Sequence, residues 1–488
     1  MKLSRVSCWV LAAFCLWMVG CMKMGPDFKK PDLQMAQPEK YQYQPKKAAL
    51  VVPEDRWWEV FGDPHINDLV EKVLKNNPDL QQAAARILEL QYQVIQTRAE
   101  RFPTLGLKAV AQRQHEPESI MGPGIPIGGT VSQYGVSLPA SYEMDLWGKY
   151  ARAEEASRAQ LLQEEENRLT LSQGLVAEAV SLYLQIQSIE RRIQIILQSL
   201  KNYQESVTFV ERRYKRGLTS ILDLRQARRT LNQAKGNLPQ SRQELGTAQQ
   251  ALAVILGEYP KTQKPYPQPE DYYKKLRPIP PGLPSELLLR RPDIRAAEAQ
   301  LKSLNAQVGV AKASRFPSIS LTGSYGYASE ELFNLFQPGA VWSLAAALAQ
   351  PLFDAGRLKA NQRAAEARYA QGVAAYQKKV LDAFREVENA LLTRRKQIER
   401  RTDVLSFVVE ARATQRVAEE RYMRGLVDYL TVLNAQQTRF GAEDQLLQVE
   451  LTILANRVTL HRALGGGWAV LPPVKGKETE GIASYTIW

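Results

Sequence analysis

Thiol and imidazole chemistry has little to draw on in these 488 residues, which hold three cysteines and three histidines. His65, His115 and His461 are scattered and form no HExxH or other ligand spacing, which disfavours catalytic zinc. No GxSxG, Walker A or strand-borne GxGxxG signature occurs. Cys21 is the one cysteine placed for chemistry. Lys2 and Arg5 give a positive start, Val6–Val19 carries no charge, and Gly20 precedes the cysteine. This apolar stretch is too short to span a bilayer comfortably and reads as a secretory signal. Cys21 stands where bacterial lipoprotein signals place the acylated residue, so a covalent lipid is expected there. Met22, which follows it, is not the aspartate that favours retention at the inner membrane. Cys8 and Cys15 leave with such a signal, so the mature chain keeps no free thiol for a disulfide, a metal or a nucleophile. No enzyme, metal or soluble cofactor is expected.

A net charge of +13 raises nucleic acid as a partner, but the Lys and Arg are spread along helical stretches among Glu and Gln. Solvated helix faces account for that pattern better.

The elements that position these residues come in two copies. NPDL (Asn77–Leu80) recurs as RPDI (Arg291–Ile294), and ERFPTL (Glu100–Leu105) as SRFPSI (Ser314–Ile319), both at an offset of 214. RYKRGL (Arg213–Leu218) recurs as RYMRGL (Arg421–Leu426), and Leu256-Gly257 as Leu464-Gly465, at an offset of 208. A loop shorter by about six residues in the second unit reconciles the two offsets. A repeat of this length signals duplication of a supersecondary assembly.

Neither Ala140–Leu238 nor Leu352–Leu471 contains an internal proline, and both are rich in helix formers. Apolar residues at Val176, Ala179, Tyr183, Ile186, Ile189, Ile193, Ile196, Leu200, Tyr203, Val207, Val210 and Tyr214 step by three and four, a coiled-coil seam. Phe384, Val387, Leu391, Val404, Val408 and Ala418 hold the weaker stripe of the second copy. A helix from Gly148 to Gly217 would be roughly 100 Å long. Each rod is expected to stop at a glycine, Gly217 or Gly425, that accepts left-handed backbone, with Arg216 and Arg424 suited to the negative helix end. Periodicity then resumes, giving an antiparallel helical hairpin per unit.

The other end of each unit alternates with period two. Leu105, Leu107, Ala109 and Ala111 interleave with Thr104, Gly106, Lys108 and Val110, and the chain returns through Tyr134, Val136, Leu138, Ala140 and Tyr142. The second unit gives Ile319, Leu321, Gly323, Tyr325 and Tyr327, then Trp342, Leu344, Ala346 and Leu348. These predict strands near Thr104–Arg113, Gln133–Asp145, Ser318–Tyr327 and Val341–Leu352, with Glu116–Thr130 as a loop facing the cell exterior. Segments of this length and period match transmembrane barrel strands. Four strands cannot close in lipid, because open edges leave unsatisfied amides at several kcal/mol each. Closure needs at least about eight strands. Two, three or four chains sharing one barrel would satisfy this, and arithmetic alone does not choose among them.

Trp57–Leu80 (WWEVFGDPHINDLVEKVLKNNPDL), Pro280–Ala299 (PPGLPSELLLRRPDIRAAEA), the paired RFP motifs and His461–Trp468 (HRALGGGW) together resemble the outer-membrane factor family of TolC and NodT. The resemblance covers nearly the whole mature chain. It implies an α+β membrane protein, a homotrimer whose shared twelve-stranded outer-membrane barrel continues as a periplasmic α-helical barrel. It further implies a passive exit duct of a tripartite efflux pump, joined by a periplasmic adaptor protein to an inner-membrane resistance–nodulation–division transporter. Lipid at Cys21 would add a second hold on the outer membrane.

Domains are expected at 1–20 (signal), 21–56 (lipid-anchored extended segment), 57–256 (first repeat), 257–285 (proline-rich linker), 286–467 (second repeat) and 468–488 (tail). By resemblance, Tyr422 would hold the hairpin tips shut against Asp223, and Leu430 would form an apolar constriction. Asn434 stands where many family members carry an aspartate, a departure from the family's anionic ring, for which Asp428 would be the substitute. The outer component of a type I protein secretion system, or a non-conducting periplasmic adaptor, are the alternatives.

Overall fold

A computed structural model describes residues 23–32, 40–43, 56–120, 126–260, 289–337 and 339–466. In chain order these form a 3-10 turn (Trp57–Phe61), α1 (Pro64–Asn76), α2 (Pro78–Ala99), β1 (Thr104–Leu105), β2 (Lys108–Ile120), β3 (Pro126–Met144), α3 (Lys149–Lys215) and α4 (Ile221–Ile255). The second repeat follows as α5 (Pro292–Ala313), β4 (Ser318–Ser329), β5 (Val341–Ala349), α6 (Arg357–Met423) and α7 (Tyr429–Ala463). The equivalent helices α3 and α6 are each 67 residues long, and α4 and α7 are each 35. None of the described helices is long and apolar enough to cross a membrane.

The chain divides into two compact units. One gathers Met1–Asp32, Ile87–Gln163 and Ala297–Tyr376, and carries the sheet. Its strands run antiparallel, with β1 and β2 both paired to β3, then β3 to β4 and β4 to β5. β1 and β2 share one register against β3. Gly106 N–H donates to the Pro139 carbonyl at 2.9 Å, but proline has no N–H to return the bond, and the ladder breaks there. The first hairpin is longer than the sequence suggests. Pairing runs on through Glu116–Gly129 and Ile120–Pro126, inside the stretch expected to be loop. The register shifts between Glu116 and Ser119, around Pro117, so a bulge absorbs the missing donor while the ladder continues. Residues 121–125, between these two strands in sequence, lie outside the described residues.

The other unit comprises Leu33–Arg86, Glu164–Ala296 and Gln377–Trp488. Its main core joins Trp57, Phe61, Ile66, Val70 and Val73 to Val176, Val180, Tyr183 and Ile186 of α3 and Leu252 of α4. The seam residues predicted on α3 are buried from Val176 to Ile189 and again at Tyr203, Val207 and Val210, and half-buried at Ile193, Ile196 and Leu200, whereas Tyr214 is exposed beside the tip glycine, where the helix ends.

Duplication is visible in single bonds. Asn77 Nδ2 donates to the Ile255 carbonyl at 2.8 Å, and the equivalent Arg291 Nη1 donates to the equivalent Ala463 carbonyl at 3.1 Å. Each ties the head of its repeat to the tail. The Arg of each RFP motif makes a second matched tie. Arg101 Nη1 meets Glu154 at 2.7 Å, and Arg315 Nη1 meets Gln362 at 2.8 Å, one turn into the long helix that follows the strands.

Of the sequence domains, Cys21, the leader, most of the 257–285 linker and the 468–488 tail lie outside the described residues.

Candidate functional site

Two places in the molecule carry the features a conduit needs: the faces of the sheet and the tips of the helical hairpins. Residues directly opposite one another in an antiparallel ladder point to the same side. One row across three strands reads Leu138–Tyr325–Trp342, and another Tyr142–Leu321–Ala346. Met144–Ile319–Leu348 and Val136–Tyr327 add to the same side, with Leu105 and Ala109 reaching it from β1 and β2. The opposite side is polar or small: Lys108–Ser137, Thr104–Ser141–Thr322, Pro139–Ser324–Ser343 and Glu143–Ser320. The wall therefore has one apolar face and one hydrated face. Its last strand, β5, is exposed along its whole length, with Trp342 at 72% and Leu344 at 79%. β5 also ends the sheet order, so its outer edge has no partner strand among the described residues.

Both joints from strand to long helix rest on an aspartate. Asp145 accepts from the N–H groups of Tyr150 and Ala151 at 3.1 and 2.8 Å, and Asp354 from those of Gly356 and Leu358 at 2.9 Å each. These carboxylates satisfy orphan amides at the helix start and favour its positive end. The sequence reading passed over both, although each lies just before a glycine that opens a long helical pattern.

The two tips share one core, in which Tyr203, Val207 and Val210 of α3 meet Leu224 and Leu231 of α4, Tyr422 of α6, and Tyr429, Leu433 and Phe440 of α7. Gly217 and Gly425 take φ of 69° and 74°, and the N–H after each returns to the carbonyl of Arg213 or Arg421 at 2.9 Å. This is the paired bonding of a Schellman stop. Arg216 and Arg424 are exposed beside the glycines.

Asp223 and Asp428 both serve as helix caps here. Ser220 Oγ accepts from Asp223 N–H at 3.2 Å, while Asp223 Oδ2 accepts from Ser220 N–H at 3.3 Å and from the Thr219 hydroxyl at 2.5 Å. In the second tip Asp428 Oδ1 accepts from both Thr431 N–H, at 2.9 Å, and the Thr431 hydroxyl. Hydroxyl and acid have exchanged places between the repeats, and the cap survives.

Tyr422 is buried between Phe209 and Tyr429, with the Arg213 guanidinium 5.1 Å from its ring centre. Its hydroxyl makes no hydrogen bond of ordinary geometry, although Thr219, Arg213 and Asp223 are the polar groups acting on it. Burial raises its pKa, as it raises that of Tyr429, which reaches about 12. Tyr422 and Asp223 are thus in one neighbourhood, with Thr219 already holding the carboxylate. Leu430 and Asn434 are both exposed, one helical turn apart on α7. No group of acid, His or Cys side chains among the described residues is arranged to hold a metal.

A family model described as outer membrane efflux protein matches residues 69–258 and 283–466, one match per repeat. The solvent efflux pump outer membrane protein SrpC of Pseudomonas putida is 34% identical over 467 residues, covering 94% of this chain and 98% of that one. The cation efflux system protein CusC of Escherichia coli K12 is 32% identical, covering 94% and 99%. Among solved structures, the outer-membrane channel OprN aligns with a TM-score of 0.84 at 31% identity, over 91% of this chain and 99% of that one. The open state of the Neisseria gonorrhoeae MtrE outer membrane channel aligns with a TM-score of 0.80 at 30% identity, over 91% and 98%.

Proposed function

Because the chain belongs to the outer membrane efflux protein family and is an outer-membrane efflux channel, we propose that three copies close one twelve-stranded barrel serving a tripartite small-molecule pump. The two-faced sheet with its open apolar edge carries this reading. A bilayer cannot satisfy the outward amides of β5, whereas the first strand of another copy does so at every second residue. Apolar rows through Tyr325 and Trp342 then face lipid, and the Ser and Thr rows face the water of the pore. A periplasmic adaptor and an inner-membrane resistance–nodulation–division transporter complete the assembly. Exposed Leu218, Leu222, Met423 and Leu426 offer that adaptor an apolar surface at the tips. Acyl chains on Cys21 add a second attachment to the membrane. The cargo is a small molecule chosen by the inner pump, since the relatives are named for solvents and for cations.

The gate lies at Tyr422 and Asp223. Closure has the Tyr422 hydroxyl donate to the Asp223 carboxylate, a charge-assisted bond worth roughly 1.5–3 kcal/mol when sheltered. Thr219 competes for that carboxylate in the present conformation. Two variants with opposite signs test this in planar bilayers. Tyr422→Phe with Asp223→Ala removes the latch and increases open probability and antibiotic leak. Thr219→Val frees Asp223 for Tyr422 and reduces open probability. Equal open probability in wild type and both variants, each properly assembled, would remove the gate from this pair. Heat-sensitive trimers in detergent extracts, and adaptor and pump recovered after crosslinking, test the assembly.

A further inference from the structure

A short N-terminal strap is built into the sheet-bearing unit with more care than a tether needs. Met24 N–H donates to the Trp147 carbonyl at 3.0 Å. Arg152, with its side chain only 2% exposed, donates from Nε to Met24 O at 3.2 Å, and from Nη2 to Gly25 O at 3.4 Å and Asp27 Oδ1 at 2.8 Å. Its remaining Nη1 is held by Glu155 at 2.8 Å. From the other side, Asn305 Nδ2 donates to Pro26 O at 2.8 Å, and Lys30 pairs with Glu298 at 2.9 Å. Backbone meets backbone as well. A Cβ on Gly309 would lie 2.9 Å from Met24 O, and one on Gly148 would lie 2.8 Å from Lys23 Cα. The strap therefore binds α3, which leaves β3, and α5, which leads into β4, and so joins the two repeats where their hairpins pair.

The duplication supplies an internal control. By the repeat offsets, Arg152, Gly309, Asn305 and Glu298 correspond to Ala360, Ile95, Gln91 and Ala84. The second copy of the seat thus lacks the guanidinium, the glycine and the acid together, so the duplicated fold offers this seat once per chain.

We propose that Lys23–Asp32 is a clasp, locked by Arg152 as its positioning residue, which seats the lipid-bearing end of each chain on the inner rim of its own barrel. The proposal rests on the lipid-anchor reading of Cys21. Lys23 lies against Gly148 in the turn that joins β3 to α3, and Cys21 is two residues away, no more than about 7 Å of extended chain. Its acyl chains then enter the bilayer beside the apolar face of β3. There they hold a hairpin at the membrane while the barrel closes. A lipid on a free tether would leave the hairpin unplaced.

The test uses the full-length chain with its own leader in outer membranes. Arg152→Ala should keep its lipid by intact mass, yet expose the strap lysines to trypsin about tenfold faster or more, as loss of buried charged hydrogen bonds implies. The fraction of SDS-resistant oligomer should fall several-fold. Arg152→Lys should restore part of it. A disulfide-containing bifunctional thiol crosslinker joining Lys30→Cys to Glu298→Cys, long enough to replace the two side chains, should restore it in the Arg152→Ala background, reversibly with reductant. Unchanged tryptic protection, or an opened strap with undiminished oligomer, would overturn the proposal. An unmodified Cys21 by mass would instead overturn the lipid anchor, and the trypsin comparison would still decide whether Arg152 locks the strap.

Discussion

His461 shows how a single buried side chain sets the response to acid. It stacks on Trp57 at 5.2 Å between ring centres, and neither ring nitrogen has a hydrogen-bond partner among the described residues. Burial first, and then the charge of Arg457, pushes its pKa down to about 3 from an ordinary 6.5. The unfolded chain therefore takes up this proton before the folded one does. Above about pH 6.5 the ring is neutral in both states and its titration makes no difference, and stability drains away as pH falls from there, by at most about 1.4 kcal/mol per pH unit. His461→Phe keeps a stacked ring and removes the titration. Melting of the detergent-solubilised channel should then lose less between pH 6.5 and 4 than wild type does; parallel curves would dismiss His461 as the source. A histidine in HRALGGGW was visible in the sequence, but its burial against a tryptophan some 400 positions earlier was not. Asp223 and Asp428 were singled out for a gate, and their capping bonds were within reach of the repeat alignment. Ser220 falls on Asp428, and Asp223 on Thr431, so the side-chain acceptor at the helix start is kept while the return bond to the cap backbone is found in the first repeat.

At the scale of elements, glycines with the same backbone angle do different jobs. Gly217 and Gly257 both have φ of 69°. A Cβ on Gly217 meets nothing within 4 Å, whereas one on Gly257 would lie 2.6 Å from the Asn76 carbonyl, where α4 ends against the head of its repeat. Gly217→Ala should cost only the left-handed penalty of about 1–2 kcal/mol. Gly257→Ala adds a clash of about 1–3 kcal/mol. Thermal melting should rank them in that order, and equal losses would show that the closure between α4 and Asn76 yields easily. The long helices and four of the strand stretches were legible because their periods are sustained and doubled. Two features were not. The first hairpin extends through polar and glycine-rich residues whose ladder is made by backbone, which composition does not report. Pro239 lies inside α4, where a helix would be expected to stop, and the helix continues through it. The RFP arginines were recognised as a motif, but their partners, Glu154 and Gln362, become neighbours only when the strands turn the chain back.

For the whole molecule, the decisive property is that one sheet has two solvents. Leu344 and Ser343 are adjacent on β5, yet Leu344 pairs with Gly323 beside Leu138 and Tyr325, while Ser343 pairs with Ser324 and Pro139 on the polar side. A charge at these two sites meets different media. Arginine at Leu344 must sit in hydrocarbon, at about 2–4 kcal/mol per chain near mid-membrane, and a symmetric trimer incurs that cost three times. Leu344→Arg should therefore leave little heat-sensitive trimer in the outer membrane. Ser343→Arg places its charge in the aqueous pore, so trimers should assemble at near wild-type yield, with lowered single-channel conductance and anion preference. The register also predicts which strands join copies. Because β5 lies at one end of the sheet order and β1 with β2 at the other, closure brings these edges together between chains. Cysteines placed on β5 and β2, at polar-side positions such as Ser343 and Lys108, should crosslink into oligomers up to the trimer and no further. Crosslinking that stays within one chain would mean that the sheet closes on itself. Dimers alone, or a ladder running past three chains, would show that a different number of copies completes the barrel.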